Sequence, residues 1–186
     1  CFLDDDDYWT ETYVCEVVKC FNATCCDVVV SRLDSDFGGE VGPYKSADQE
    51  SFRIDKLLLA NPGITGSSTS VRLTSFLVSG GYDFSLPPSE DKDLIMNFLK
   101  RGMLVMSENS AVAVLRQHKE DSRLASFHSI RKSSWALYKK YKDDLTWKDR
   151  LAVIFKGCAL RFSGRPGFLG FISMCLMKMS KSLSST

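Results

Sequence analysis

The amino-acid sequence predicts an α/β fold, because segments with strand character alternate with segments of helical character. The β-branched triplet in "CDVVVSRLDSDF" is typical of a buried strand. In "YWTETYVCEVVKCF", apolar side chains recur at helical spacing, at Tyr13, Val14, Val17, Val18 and Phe21. With 186 residues, 44% of them hydrophobic and 25% charged, the chain is expected to form one globular domain with a small appendage.

The residues up to the double glycine at 80–81 are predicted to form three helices with strands between them. Gly80 and Gly81 are expected to close the third helix, because glycine readily adopts the left-handed conformation of a helix C-cap. In chain order, the predictions are a strand end at 1–4, a helix over 8–21, a strand over 26–37, a polar, Gly-rich loop over 34–50, a helix over 51–60, a strand over 68–73 and a helix over 74–81.

A further helix is predicted over residues 90–101, with Ser89 as its N-cap and Gly102 at its end. Its first turn is acidic, which suits the positive end of the helix dipole: it holds Glu90, Asp91 and Asp93.

The remaining chain is predicted to change from strands to basic helices. "MLVMS" and "AVAVLRQH" predict a pair of strands, and helices follow over about 122–141 and 146–162. The expected organisation is therefore an α/β part over residues 1–120 and a basic helical extension over 121–186 that ends in a short apolar tail.

Composition limits the possible partners. The net charge of +1 gives no basic field, so no nucleic-acid partner is expected. The seven cysteines include no C-x-x-C pair, which favours free thiols over a metal or disulfide site. The apolar run "GFLGFISMCLM" is too short to cross a membrane, but its basic flanks predict either peripheral membrane contact through residues 161–181 or a terminal helix docked on its own domain.

Four consecutive carboxylates stand in "FLDDDDYW". At the end of a strand, Asp4 and Asp6 would point to the same side, and paired carboxylates are ligands that Mg²⁺ and Mn²⁺ prefer. A calcium-binding EF-hand is excluded, because Trp9 or Thr10 stands where that loop requires glycine. A D-x-D-x-T phosphatase is disfavoured by Tyr8. An Asp-x-Asp that binds a nucleotide diphosphate through a metal, and a solvated acidic turn, both remain open.

Four segments together resemble the inverting family 2 glycosyltransferases of the GT-A type. "FLDDDDYW" is similar to the Asp-x-Asp segment of that family, and "GGYDFSLPPSEDKDL" resembles its acceptor-side motif. "NPGITGSSTSVRLTSFLVSGGYD" is similar to the stretch between the two, and "VAVLRQHKEDS" to the strand and Arg-x-His element that follow. The four segments occur in the family's order over residues 2 to about 122.

The resemblance implies the C-terminal part of a GT-A domain, which is Rossmann-like with a mixed sheet, followed by helices. It implies that Asp4 contacts the ribose or a metal-bound water and that Asp6 ligates the metal. Asp91, in the pair with Glu90, corresponds to the general base, and His118 to a further metal ligand in some members.

Other polar residues have less certain roles on sequence alone. Arg116 is predicted either to neutralise a donor phosphate or to pair with an acid, and Asp7 to support the metal ligands from behind. Asn61, Thr65 and Ser67 are expected to line the acceptor pocket or to form an ordinary turn.

The expected activity is transfer of a sugar from a nucleotide-diphosphate donor to a hydroxyl of a saccharide or lipid-linked saccharide, with Mn²⁺ or Mg²⁺ as cofactor. Family analogy places such an enzyme on the cytoplasmic face of a membrane, in the synthesis of a bacterial capsule or O-antigen. Because the sequence starts inside the metal-bearing segment without Met, a preceding nucleotide-binding half is expected, and the chain alone is expected to be weakly active at best. The alternatives are a non-catalytic scaffold and another metal-dependent phosphoryl enzyme.

Overall fold

The computed structural model describes residues 1–117, 127–162 and 168–184, and its centre is a mixed five-stranded sheet. The strands lie in the order β1-β5-β2-β3, and β4 pairs with the first half of β2. Strands β2 and β5 are parallel, whereas the other pairs are antiparallel. The strands are β1 (Tyr8–Trp9), β2 (Val28–Phe37), β3 (Glu40–Lys45), β4 (Thr69–Val71) and β5 (Val105–Arg116).

Helices flank this sheet, which confirms the α/β class. Within the described ranges they are α1 (Tyr13–Thr24), α2 (Ile54–Leu59), α3 (Leu73–Ser79), α4 (Glu90–Lys100), α5 (Phe127–Tyr141), α6 (Trp147–Phe162) and α7 (Phe168–Ser184). Short 3₁₀ turns occur at Gln49–Ser51 and Lys142–Asp144.

Strand β2 supports an apolar layer on each face of the sheet, because successive side chains of a strand point to opposite faces. Val29 and Leu33 belong to a buried cluster with Tyr13 and Val17 of α1. Val28 and Val30 belong to a separate cluster with residues of α2 and α4. Each fully buried aliphatic side chain stabilises the fold by about 1.5–3 kcal/mol, so the buried valines and leucine of β2 fix the sheet between its helices.

The cluster on the α4 side continues into the C-terminal helices. Leu137 and Tyr141 of α5 are fully buried in it. Lys140 of α5 stabilises the contact between α5 and α4, because its Nζ donates to Asp93 Oδ2 of α4 at 2.8 Å and to Asp83 Oδ2 at 2.9 Å. The Tyr141 hydroxyl donates to Asp93 Oδ1 at 2.8 Å. Helix α5 is thereby held against both the first turn of α4 and the turn that precedes it.

Several local predictions are confirmed. The strand over 26–37 and the helices over 51–60, 74–81 and 90–101 are present with bounds that differ by one to three residues, and Gly80, with a φ of 88°, caps the C-terminus of α3. The cap of α4 differs from the prediction, because the Ser89 side chain makes no capping hydrogen bond. Its hydroxyl instead lies 2.8 Å from the Ser133 hydroxyl of α5.

The predicted loop over 34–50 is wrong, because residues 40–45 form strand β3. A turn at Gly38 and Gly39, both with positive φ, returns the chain antiparallel to the second half of β2. Most of β3 is exposed, so no apolar alternation marks it in the sequence. Backbone pairing with β2 makes this segment a strand, and that pairing has no local compositional signal.

The predicted pair of strands near residues 103–118 is also wrong. Residues 105–116 form one strand, β5, whose pairing with β2 shifts register between Ser31 and Arg32. Ser31 pairs with Glu108 and Arg32 with Val112, so the intervening residues bulge out of the ladder. The interval between the two predicted strands therefore corresponds to a bulge within one continuous strand.

At the N-terminus, the predicted helix over 8–21 begins only at Tyr13, because Tyr8 and Trp9 pair with β5. Residues 1–4 form no strand, although the Phe2 N–H donates to the Thr69 carbonyl at 3.3 Å.

Among the described residues, none of the helices combines the length and apolar character needed to cross a membrane. Residues 163–167, within the segment 161–181, lie outside the described residues, and membrane contact through that segment stays a prediction. The seven cysteines are unpaired in the structure.

Candidate active site

The acidic segment Asp4–Asp7 forms a tight turn, in which the Asp7 N–H donates to the Asp4 carbonyl at 3.2 Å. Strand alternation therefore does not apply, and the expectation that Asp4 and Asp6 share one side of a strand end is wrong in its geometry. Asp4, Asp5 and Asp6 are exposed, whereas Asp7 is only 7% exposed. The turn thus presents three carboxylates to solvent and uses the fourth as an internal anchor.

Ser67 holds this turn. Its hydroxyl donates to Asp7 Oδ2 at 2.6 Å and accepts from the Asp4 N–H at 3.1 Å. The Arg116 backbone N–H donates to the other oxygen of Asp7 at 3.3 Å. Burial raises the pKa of Asp7, and these two hydrogen bonds oppose the shift by favouring the carboxylate. Asp7 therefore anchors the turn from within, and its predicted support of the metal ligands stays a prediction.

Arg116 lies at the end of β5, beside the acidic turn. Its side chain is exposed, and its guanidinium carbon lies 4.9 Å from the centre of the Tyr8 ring. Its charge is close enough to lower the pKa of Asp7. A cation therefore borders the acidic turn at the position that the sequence predicted for phosphate contact, while His118 lies outside the described residues.

Asp91 occupies the first turn of α4 and is partly buried. Burial is the main reason that its pKa rises to about 6, and the negative charges of Glu90 and Asp4 raise it further. The Tyr82 hydroxyl and the Gly66 backbone N–H oppose this shift by hydrogen bonding. Burial and proximity to Asp91 raise the pKa of Tyr82, so its hydroxyl stays protonated as a donor. Asp4 is close enough to raise the pKa of Asp91, so the fold brings together two acids from distant parts of the sequence.

Gly66 lies between these two acids. Its N–H faces Asp91, and a Cβ added at Gly66 would lie 2.9 Å from Asp4 Oδ1. The absence of a side chain therefore lets the Asp4 carboxylate approach the backbone of the loop that also contacts Asp91. Together with Ser67, Gly66 makes this loop the direct connection between the acidic turn and the start of α4.

The other predicted turn residues have divided roles. Asn61 Oδ1 accepts from the N–H groups of Gly63 and Ile64 at 3.0 and 2.7 Å, so Asn61 shapes the turn as well as lining a cleft beside it. The Thr65 N–H donates to the Ser68 hydroxyl at 3.0 Å, which makes Thr65 part of the turn itself. Ser67 supports the acids, as described above.

The carboxylates in this region fit a hard divalent cation in their chemistry, because oxygen donors are the ligands such ions prefer. Burial raises the pKa of Asp4, and repulsion from Asp7 and Asp6 raises it further; a bound cation would relieve that repulsion. In the described chain, Glu90 Oε2 is buried without a hydrogen-bond partner. No group of three or more His, Cys, Asp or Glu side chains among the described residues already surrounds one point.

A cleft of about 370 Å³ opens beside Asp91. It is bordered by the 61–64 turn, by the start of α4 with Lys92, and by side chains of α5 and of α6, among them Lys156 of α6. The sequence interpretation assigned no role to Gly66, Tyr82, Lys92 or Lys156. Gly66 and Tyr82 lie within the segments that resemble glycosyltransferase motifs, so those motifs point to their positions. The two lysines resemble ordinary helix-surface residues in the sequence.

The arrangement thus combines an exposed acidic turn, a partly buried carboxylate with a raised pKa, and an adjoining cleft. Comparisons with protein-family models and with curated proteins found no match to this chain, so a functional assignment rests on the geometry and chemistry described above.

Proposed function

We propose that this chain carries the metal-binding and acceptor side of an inverting, divalent-metal-dependent glycosyltransferase of family 2, with the GT-A fold. The observation that supports it most directly is the close approach of Asp4 and Asp91 through the Gly66 loop, at the edge of a cleft. These are the two carboxylates to which the sequence resemblance gives complementary roles, one toward the donor and one toward the acceptor.

Asp91 acts as the general base in this proposal. With a pKa of about 6 it is largely ionised at neutral pH and is a stronger base than an ordinary aspartate. Its position in the first turn of α4 favours the anion through the helix dipole. Hydrogen bonds from Tyr82 and Gly66 fix the orientation of the carboxylate toward the reacting hydroxyl.

Asp4 and Asp6 would hold Mn²⁺ or Mg²⁺, and His118 stays a predicted further ligand. When bound, the cation supplies Lewis-acid stabilisation of the nucleotide-diphosphate leaving group. Arg116 adds a positive charge next to the same turn and is assigned to the donor phosphates. Glu90, with its unpartnered oxygen, supports the same region from the start of α4.

The reaction then follows from the positions of these groups. The acceptor hydroxyl oxygen forms a bond to the anomeric carbon of the donor while the bond from that carbon to the diphosphate oxygen breaks. Asp91 takes the hydroxyl proton, and the bond pair leaves with the nucleoside diphosphate. Attack from the side opposite the leaving group inverts the configuration. The proposed setting is bacterial capsule or O-antigen synthesis at the cytoplasmic face of a membrane.

Metal binding tests the donor side of this proposal. Titration of the protein with Mn²⁺, followed by electron paramagnetic resonance of the free ion, should show one site that is weakened at least about tenfold in Asp4→Asn and in Asp6→Asn. Asp5→Asn removes the same charge from the same turn and is the matched control. Equal weakening in all three variants would indicate diffuse charge attraction and would contradict the assigned ligands.

Transfer tests the whole proposal, in the natural protein that contains this chain. Release of nucleoside diphosphate from UDP-glucose, UDP-N-acetylglucosamine and GDP-mannose is measured with cell-surface glycans as acceptors, with Mn²⁺ and with EDTA. Metal-dependent transfer that Asp6→Asn abolishes is expected. Metal binding without turnover of any donor would favour a non-catalytic scaffold.

A further inference from the structure

Two lysines border the cleft beside Asp91. Lys92 follows Asp91 in the first turn of α4 and is only 8% exposed, and Lys156 lies on α6 across the same cleft. In the described parts of the chain, neither ammonium forms an ion pair with an acid. Lys156 Nζ donates to the Leu58 carbonyl at 3.2 Å. Both are thus cations held in a partly enclosed space.

The placement of Lys92 is electrostatically unfavourable in three respects. Burial removes most of its hydration, the charge of Lys156 repels it, and the N-terminal end of a helix disfavours a cation. The pKa of Lys92 accordingly falls to about 8, chiefly through burial, and burial also lowers the pKa of Lys156. At neutral pH, Lys92 still carries its proton for most of the time. An anion in the cleft would relieve all three costs at once.

The residues that line the cleft indicate what kind of molecule could carry such an anionic group. Ser89, Ser134 and Asn61 provide polar groups along the wall, while Ile64, Pro88 and Ile130 provide apolar contacts. A volume of about 370 Å³ is large enough for a monosaccharide-sized ligand. Asp91 borders the same space as the two lysines, so a ligand held by its negative group can present a neighbouring hydroxyl to Asp91.

We propose that the cleft binds an anionic saccharide acceptor, whose phosphate or carboxylate group is held between Lys92 and Lys156. The identification of this ligand as the acceptor rests on the proposed glycosyl transfer, whereas the anion site itself rests only on the cleft and its two lysines. The site selects the acceptor by charge and leaves the acidic turn to the donor.

The test measures ligand binding to the protein by isothermal titration calorimetry, with EDTA present and without donor. The probes are glucose 1-phosphate, glucuronate, inorganic phosphate and glucose. Glucose 1-phosphate or glucuronate should bind at least about tenfold more tightly than glucose, since a charged hydrogen-bonded pair contributes about 1.5–3 kcal/mol. The stronger of the two identifies phosphate or carboxylate as the recognised group.

Lys92→Met and Lys156→Met should each weaken that binding about tenfold or more. Lys148→Met, an exposed lysine on the same helix as Lys156, is the matched control and should bind like the parent protein. Removal of a buried charge is not expected to unfold the protein, and thermal melting of each variant checks this. Asp91→Asn should retain or strengthen anion binding, because it removes a neighbouring negative charge.

Equal affinity for glucose and the anionic sugars, or unchanged binding in both cleft variants, would overturn the anion site. That outcome is independent of Mn²⁺ binding and of transfer, which test the proposed function. Conversely, lysine-dependent binding of the anionic sugars in a protein without transfer activity would support the site and would contradict only its assignment to an acceptor.

Discussion

The acidic turn at Asp4–Asp7 and the start of α4 both contain several charged side chains, but these side chains differ in their exposure to water. In the turn, three carboxylates are exposed to water, and the buried Asp7 receives donors from Ser67 and Arg116. At the start of α4, Asp91 and Lys92 are withdrawn from water, and their pKa values move toward each other, to about 6 and about 8. The exposed carboxylates of the turn are open to ions from solvent, whereas burial within the fold sets the proton affinities of Asp91 and Lys92.

This difference predicts that substitutions in the two regions affect different properties of the protein. Substitution of an exposed acid of the turn should reduce ion binding and leave the protein's pH response nearly intact. Changes at the start of α4 should alter proton transfer and the pH dependence of stability. The four predictions below test this distinction, from the largest expected effect to the smallest.

The largest effect is expected for catalysis in Asp91→Asn. Loss of a general base typically reduces turnover by about 10²–10⁴-fold, and the substitution keeps the shape of the side chain. Nucleoside diphosphate release by the natural protein measures this, and Mn²⁺ binding to the variant should stay within about twofold of the parent because the turn is unaltered. Comparable turnover in variant and parent would show that Asp91 is not the base.

The same substitution should stabilise the metal-free protein. The folded-state pKa of about 6 lies above the ordinary value of 3.8, so ionisation of Asp91 opposes folding. This cost is absent below about pH 4, grows as the pH rises and is complete above about pH 6, where it reaches at most about 3 kcal/mol. Urea unfolding in EDTA should therefore show Asp91→Asn to be more stable than the parent at about pH 7.5 and equal to it at about pH 4.

Asp143→Asn is the control for that experiment. Asp143 is also an aspartate, but its side chain is 79% exposed. Its substitution should change the free energy of unfolding by no more than about 0.5 kcal/mol at either pH. A stability difference for Asp91→Asn that did not change with pH would indicate altered packing rather than relief of a buried charge.

A smaller effect, of about 1–3 kcal/mol, is expected for the stability of Ser67→Ala. The variant removes the hydroxyl that donates to the buried carboxylate of Asp7 at 2.6 Å. Because this bond favours ionised Asp7, its loss should destabilise the protein at neutral pH and matter less where Asp7 is protonated. Urea unfolding at about pH 7 and about pH 3 measures the difference.

Ser46→Ala provides a comparison, because Ser46 is an exposed serine whose hydroxyl also donates to a side chain, that of Asn109 at 2.7 Å. It should lower stability by no more than about 0.5 kcal/mol. If both serine variants behaved alike, Ser67 would not be the anchor of the acidic turn.

The smallest effect is expected for Gly66→Ala. The added methyl group would lie 2.9 Å from Asp4 Oδ1, and the exposed carboxylate can rotate away at little cost to folding. Displacement of Asp4 should weaken Mn²⁺ binding by about three- to tenfold, with a change in stability below about 1 kcal/mol. Gly42→Ala is the control, because a Cβ there meets no atom within 4 Å. Unchanged Mn²⁺ affinity in Gly66→Ala would remove Asp4 from the ion site.

Local signals predicted the elements whose determinants are local. The Val28–Val30 triplet identified β2, and the left-handed glycine Gly80 identified the end of α3. Strand β3 escaped prediction because it is defined by pairing with β2 rather than by its own burial pattern. Strand β1 escaped because its two residues are strand-like only through Val114 and Ala113 of β5.

For the candidate site, the acidic residues could be identified from the sequence, but their arrangement in space could not be predicted from it. Asp4 and Asp91 were singled out through motifs, and the fold places them on either side of Gly66. Strand alternation does not predict the relative positions of Asp4 and Asp6, because the segment is a turn rather than a strand end. Lys92 and Lys156 could not be predicted, because a lysine on an amphipathic helix normally faces water, and only the packing of α6 near α4 encloses them.

The parallel pairing of β2 with β5 has a consequence for how the molecule folds. Val28 pairs with Val105, and the chain between them contains β3, β4 and helices α2 to α4. Such a long loop must close before the central pair forms, and pairings of high sequence separation form slowly. The acidic turn is held by the end of β5, and Asp91 lies within the loop that must close. The contact that holds the acidic turn to the end of β5 therefore depends on a strand whose pairing with β2 requires closure of this long loop.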